Sequence, residues 1–173
     1  MAFADHPKHE ILRPVRGSFI VLSLMMALLL NLIPVKGVAL ALWPDFIALA
    51  ILYWCICQPQ RFGISAAFIM GLLMDFGDAS TFGQNALAYS IMAFVALLFH
   101  RRLSNFELLK QAPQIGLILL LGQLIMLLTG LLDGSHFPGW NFFLASVTGI
   151  LIWPFFSSLL RLPQKPRFES DAR

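Results

Sequence analysis

Charged residues are scarce in this chain, and their scarcity excludes an ordinary water-soluble domain. Asp, Glu, Lys and Arg together account for 12% of the 173 residues, whereas hydrophobic residues account for 58%. A soluble globular domain has about 25% charged residues. The composition therefore predicts an integral membrane protein, in which lipid rather than water surrounds most of the surface.

Residues that carry out chemistry are also few, and they do not form catalytic or ligand-binding sets. Cys55 and Cys57 are the two cysteines, and at this spacing on a helix they point away from each other, so they do not form a redox pair. No serine, cysteine or histidine has a suitable catalytic partner, and no glycine-rich loop could hold a phosphate. Basic and aromatic residues do not interleave as in a nucleic-acid interface. We therefore expect no enzymatic activity, no cofactor, no metal site and no nucleic-acid partner.

Long apolar stretches, by contrast, occupy most of the chain. A helix of about 20 apolar residues crosses a hydrocarbon core of about 30 Å, and shorter spans are tolerated. Six runs fit this description: Ser18–Ile33, Gly37–Cys57, Phe62–Phe76, Phe82–Phe99, Pro113–Leu132 and Trp140–Leu160. The sequence therefore predicts an all-α integral membrane protein with one six-helix transmembrane domain at residues 18–160, between tails at 1–17 and 161–173. Short turns predict that the first three helices are antiparallel neighbours.

The basic residues are distributed unevenly between the two sides of this predicted bundle. If every run crosses the membrane, Lys36 lies on one side and all other lysines and arginines lie on the opposite side. Basic residues near the ends of spans are retained in the cytoplasm, so both termini are predicted to be cytoplasmic. A re-entrant third run would leave five spans and place the basic carboxy-terminal tail outside, so we favour six. Four acids lie in the predicted outer half: Asp45, Asp75, Asp78 and Asp133.

Small residues recur every four positions in the third run, at Gly63, Ala67 and Gly71, and Asp75 is the next member of the series. Small residues at this spacing let two helix backbones approach closely in a membrane. We therefore expect a packing face, with Asp75 directed into the bundle rather than toward lipid. Three roles remain open for this carboxylate: a hydrogen-bond acceptor that organises the bundle, a contact with a partner or ligand, or a solvated helix end.

Pro44 and Asp45 interrupt the second run, and two structures are compatible with them. Pro44 either bends a helix that began near Gly37, or it starts the helix, in which case Asp45 is a first-turn acid stabilised by the helix dipole. In both cases these two residues are candidates for bundle packing or partner binding, as is Gly83 in the turn before the fourth helix.

The connection at residues 100–112 has a pattern of its own. Ser104 and Glu107 have the spacing of a capping box, which is compatible with a short amphipathic helix on the inner leaflet or with an ordinary turn. If that helix forms, it is the best candidate for a cytoplasmic docking surface, with these residues: Arg101, Arg102, Phe106 and Lys110. Aromatic residues lie where interfacial anchors are expected, with Trp43 and Trp140 toward the outer surface and Tyr53 and Trp54 toward the inner one.

Several short motifs follow one another along the chain: Trp43-Pro44-Asp45-Phe46, Tyr53-Trp54, Pro59, Gly63, Gly71-Leu72-Leu73-Met74-Asp75, Gly83 and Leu87. Their order resembles the MreD family of rod-shape-determining proteins. In that family a basic residue often precedes the Pro-Asp pair. Trp43 stands there in this chain, so a role of that charge does not transfer.

The resemblance implies a non-enzymatic scaffold for cell-wall elongation and rod-shape maintenance in the bacterial inner membrane. It implies association with MreC and, in the wider complex, with MreB, RodA and a class B penicillin-binding protein that acts in peptidoglycan synthesis. It also implies a fold similar to the substrate-binding components of energy-coupling-factor transporters. The alternative is a small-molecule binding or transport subunit with an outward-facing pocket lined by Asp45 and Asp75. Such subunits engage their energising partner through small residues of the first helix, and here only Ser23 and Ala27 have that spacing.

Overall fold

The computed structural model describes residues 17–35, 37, 42–78, 82–134, 137 and 139–162. Within them the chain forms six α-helices and a short 3-10 helix at Trp140–Phe143, which confirms the all-helical prediction. The α-helices are α1 (Gly17–Asn31), α2 (Phe46–Cys57), α3 (Ile64–Asp78), α4 (Gln84–Ser104), α5 (Leu108–Leu132) and α6 (Leu144–Arg161). Most of the two predicted tails and Lys36 lie outside the described residues.

Three of the helical segments are long and apolar enough to cross a membrane: Gln84–Ser104, Leu109–Leu132 and Trp140–Arg161. The first three α-helices are apolar but shorter. α2 begins later than the second predicted run, at Phe46, and α5 begins earlier than the fifth run, so Pro113 lies inside it. Within the described residues, the architecture fits a helical membrane protein.

Helix α2 is the core of the bundle. Every residue from Ile47 to Ile56 is buried, and α2 contacts α1, α4 and α6. A helix that is apolar on all sides is stable only when other elements surround it. The composition of α2, which is almost entirely Ile, Leu, Ala, Cys and aromatic residues, therefore explains its central position.

The position of α3 differs from the predicted one. We expected the short turn after α2 to make α3 its neighbour, but α3 packs chiefly against α4. The connection between Cys57 and Ile64 is six residues long. This length is sufficient to place α3 against α4 instead of against α2. The polar contacts that hold α3 on α4 are described below.

Two of the predicted interfacial aromatics are instead part of the core. Tyr53 and Trp54 are fully buried. The Trp54 indole donates a hydrogen bond to Ser23 Oγ at 2.9 Å and stands edge-on to the Phe19 ring, with centroids 6.0 Å apart. A buried indole N–H needs an acceptor, and α1 supplies it. Trp140 is 82% exposed on the surface of the bundle, and its place on the outer side of the membrane stays a prediction.

Reporter fusions test the predicted sidedness of the six helices. Because the lysines and arginines of one face are retained in the cytoplasm, fluorescent-protein fusions at both chain ends should fluoresce. Alkaline phosphatase inserted at residues 79–81, between α3 and α4, should be active, because that connection is predicted to be outside. Active phosphatase fusions at one chain end and inactive ones at the other would contradict the even number of spans.

Candidate functional site

The carboxylate of Asp75 lies at the end of α3 and is bonded to the beginning of α4. Its side chain is buried, with 2% of its surface exposed, so the prediction that it faces the bundle is confirmed. Asp75 Oδ2 accepts from the backbone N–H of Gly83 at 2.9 Å and of Ala86 at 3.3 Å, and Oδ1 accepts from that of Asn85 at 2.9 Å. The first N–H groups of a helix have no partner within it. Asp75 therefore caps α4 from a neighbouring helix.

Two glycines make this cap geometrically feasible. A Cβ atom on Gly71, one turn before Asp75, would lie 2.6 Å from Ala86 N and 2.7 Å from Asn85 O, so only glycine lets α3 lie against the α4 backbone. Gly83 has a φ of +94°, a left-handed conformation that favours glycine. It turns the chain so that its N–H points at the carboxylate.

The four-residue series in α3 is therefore only partly a packing face. Ala67 is buried and Gly71 is in close contact, as predicted. Gly63 is not, because a Cβ atom there would meet nothing within 4 Å. The physical reason is that α3 begins at Ile64, so Gly63 belongs to the preceding turn.

Asp45 performs a similar role at the beginning of α2. Its Oδ1 accepts from Ala48 N at 2.9 Å and from Asn31 Nδ2 at 2.8 Å, and its Oδ2 accepts from the Tyr89 hydroxyl at 2.7 Å. Asn31 Oδ1 in turn accepts from Phe46 N at 3.0 Å. One carboxylate thus links the end of α1, the first turn of α2 and the second turn of α4.

The structure decides between the two alternatives for Pro44. Asp45 is the N-cap of α2, with φ −77° and ψ 93°, so the helix starts after Pro44 and the proline does not bend it. Proline lacks the N–H that a helix interior requires, and an aspartate at the N-cap supplies an acceptor. The Pro-Asp pair therefore defines where α2 begins.

Other polar ties between helices were not predicted. Gln123 donates to Phe142 O at 2.9 Å and accepts from Ser146 at 2.6 Å, which joins α5 to the region around the start of α6. At the opposite end of the bundle, Gln111 donates to Leu103 O at 3.0 Å and accepts from the Trp153 indole at 3.1 Å. An isolated polar residue within an apolar run is a signal for such a contact. Asn31 and Gln123 had that signal, whereas Gln111 lies in the predicted connection before the fifth run.

The predicted docking surface lies on a turn between helices. α4 continues to Ser104 and α5 begins at Leu108, so the capping box and the amphipathic helix do not form. Arg101 and Arg102 are exposed in the last turn of α4, and Lys110 forms an exposed ion pair with Glu107 at 3.2 Å. The use of Arg101, Arg102, Phe106 and Lys110 for docking remains a prediction.

A cavity of about 440 Å³ lies beside the Asp45 network. Asp45 lines it and Asp75 does not, so the two acids do not share a pocket. Among the described residues, no group of three His, Cys, Asp or Glu side chains could hold a metal ion. Both cysteines are free, with Cys55 buried.

The fold and these contacts define a class: a helical protein with helices apolar and long enough for a membrane, in which two aspartates cap the starts of helices. The family model of the rod shape-determining protein MreD matches residues 14–162, and the chain therefore belongs to the MreD family. The Rod shape-determining protein MreD of Haemophilus influenzae (strain ATCC 51907 / DSM 11121 / KW20 / Rd) is 28% identical over 144 residues, which are 83% of this chain and 89% of that protein. No solved structure matches the chain, so similarity to transporter components remains a prediction.

Replacement of Asp75 tests the helix cap. Asp75→Ala removes the acceptor of three N–H groups and should lower the free energy of unfolding by about 2 kcal/mol or more. Asp75→Asn keeps one acceptor oxygen and should have a smaller effect. Unfolding in mixed detergent micelles measures the change. Glu107→Gln, which neutralises an exposed ion pair, is the control and should change it by less than about 1 kcal/mol.

Two glycine substitutions form a matched pair. Gly71→Ala should separate α3 from α4 and lower the thermal unfolding temperature by several degrees, because its Cβ would overlap backbone atoms that cannot rotate away (about 1–3 kcal/mol or more). Gly63→Ala adds the same methyl group in open space and should have little effect. Equal stability of the two variants would show that the close approach at Gly71 is unimportant.

Proposed function

We propose that the chain is a non-enzymatic scaffold of the cell-wall elongation machinery in the bacterial inner membrane. It binds MreC and, in the wider complex, MreB, RodA and a class B penicillin-binding protein. Membership of a rod-shape-determining family supports this function. That membership is the observation that carries the proposal. The helix caps formed by Asp45 and Asp75 give both acids a structural role.

The first helix also favours the scaffold over a transport subunit. A transport subunit would present the small residues of α1 to an energising partner. Here Ser23 accepts the hydrogen bond of Trp54, and Ala27 is buried, so both face the interior of the same chain. Ser23 and Ala27 are therefore not available on the surface of α1 for an energising partner of a transport subunit.

Large apolar side chains cover the outside of the bundle and leave room for membrane-embedded partners. On α1 the exposed ones are Val21, Leu22, Met25, Met26 and Leu29. In a bilayer such faces contact lipid tails or the helices of other proteins. Since the described helices leave little polar surface between them, we expect partner binding to occur mainly within the membrane and at the turn after α4.

Depletion of the protein tests the proposed function. Rod-shaped cells should become round, and MreC should co-purify with the tagged protein from a mild detergent. Cells that remain rods after depletion would contradict the proposal. Recovery of the protein without MreC under conditions that preserve its fold would contradict the assigned partner.

Complementation connects the scaffold to the structure. A plasmid copy with Gly63→Ala should restore rods, whereas a Gly71→Ala copy should not, because the latter displaces α3 from α4. Immunoblots of membrane fractions establish whether the failing variant is degraded or is present but inactive. Restoration of rods by both variants would show that rod shape does not depend on the close contact between α3 and α4 at Gly71.

A further inference from the structure

The cavity beside Asp45 has the size and lining of a site for a small molecule. Its volume of about 440 Å³ falls within the range of about 300–1,000 Å³ of pockets for small organic ligands. Its walls are mainly apolar and include Met74, Met92 and Met126. Methionine side chains are flexible and polarisable and adapt to ligands of irregular shape. Exposed Asn141 and Gly37 also line the cavity, so it opens toward the connections at that end of the bundle.

The acid in the cavity wall indicates the kind of ligand that fits. Among the described lining residues, Asp45 is the one carboxylic acid, and none is a lysine, arginine or histidine. Its carboxylate accepts from an amide side chain, a backbone N–H and a phenol, and all three donors are neutral. Hydrogen bonds from neutral donors stabilise a carboxylate without cancelling its negative potential, so a cation or a strong donor is favoured nearby.

The aromatic residues of the lining refine the chemical class. Trp43, Tyr89 and Phe142 all line the same cavity as Asp45. Aromatic faces attract organic cations, and alkylated ammonium groups in particular bind among several aromatic rings. A metal ion would require several oxygen ligands directed at one point. The described lining has one carboxylate, and the amide oxygens of Asn31 and Gln123 already accept hydrogen bonds within the protein.

We infer that this cavity binds an alkylammonium group attached to an apolar body, with the ammonium near Asp45 and the apolar part among the methionines. An alkylammonium group occurs in phosphatidylethanolamine, where a phosphate and glycerol link it to apolar acyl chains, and in free organic amines that carry an apolar substituent. The inference goes beyond the proposed scaffold function and does not depend on it. The protein could determine rod shape with the cavity empty, and could bind the cation without being a scaffold.

A binding experiment on the full chain tests the inference. The protein is purified in dodecyl maltoside, which is uncharged, and titrated with benzyltrimethylammonium chloride. Thermal unfolding and isothermal calorimetry should show saturable binding and a rise of a few degrees in the unfolding temperature. Benzyl alcohol, benzenesulfonate and sodium chloride at equal ionic strength should have no comparable effect. Equal shifts with the cation and with benzyl alcohol would overturn the inference.

Two variants locate the site, and a third serves as a control. Asp45→Asn should weaken binding of benzyltrimethylammonium by about tenfold or more. Because Asp45 also caps α2, a second variant, Ala145→Leu, is tested separately. It narrows the cavity from α6 at a residue that is not among the hydrogen-bond partners of Asp45. Ala145→Leu should weaken binding. Val147→Leu enlarges an exposed side chain of the same helix and should bind as the unmodified protein does. Undiminished binding by Ala145→Leu would overturn the inference.

The source of the ammonium group is identified by native mass spectrometry. Phosphatidylethanolamine or phosphatidylglycerol is added to the purified protein before release from the micelle. Selective retention of phosphatidylethanolamine, displaced by benzyltrimethylammonium, assigns the site to a lipid headgroup. Binding of the small cation with equal retention of both lipids assigns it to a free amine. If the folded protein neither binds benzyltrimethylammonium nor selectively retains phosphatidylethanolamine, the inference is contradicted.

Discussion

Hydrogen bonds from the first turn of α4 to the Asp75 carboxylate are the contact on which the arrangement of the bundle depends. A backbone N–H group that is buried without an acceptor costs about 1–3 kcal/mol or more. Three such groups share one carboxylate on α3. The carboxylate reaches them because Gly71 brings the two backbones together. Since α4 also contacts α2 and α5, the place where α4 begins determines the positions of the central helices.

Asp45 makes the same kind of contact as Asp75: a carboxylate that accepts a backbone N–H group at the start of a helix. Each aspartate accepts backbone N–H groups at the start of a helix, and each joins elements distant in sequence. Asp75 lies outside the helix that it caps, whereas Asp45 is the N-cap of its own helix. An anionic acceptor at a helix N-terminus is favoured by the helix dipole as well as by hydrogen bonding. This favourable environment explains how a sequence with so few charges retains two carboxylates among apolar helices.

The sequence allowed the direction of Asp75 to be predicted but not its partners. Residues four positions apart share a helix face, so burial of Asp75 followed from its position in the series with Gly71. Its donors belong to residues 83–86, and they meet Asp75 only through the packing of α3 on α4. Tyr53 and Trp54 illustrate a second limit. Their position along the chain suggested a membrane interface, but whether such rings face lipid or protein depends on the surrounding helices, which composition alone does not specify.

The late start of α2 links the fold to the cavity. This helix has 12 residues and is therefore about 18 Å long, less than the hydrocarbon thickness of about 30 Å. Neighbouring helices surround it, so its N-terminus meets Asn31 and Asp45 rather than lipid. Because α2 begins only at Phe46, the space on the N-terminal side of the helix is open. Trp43, Pro44 and Asp45 line the cavity there. The residues that start α2 therefore also form part of the cavity wall. A substitution of Asp45 therefore changes both the N-cap of α2 and the cavity wall. A substitution of Ala145 on α6 changes the cavity wall without removing the N-cap.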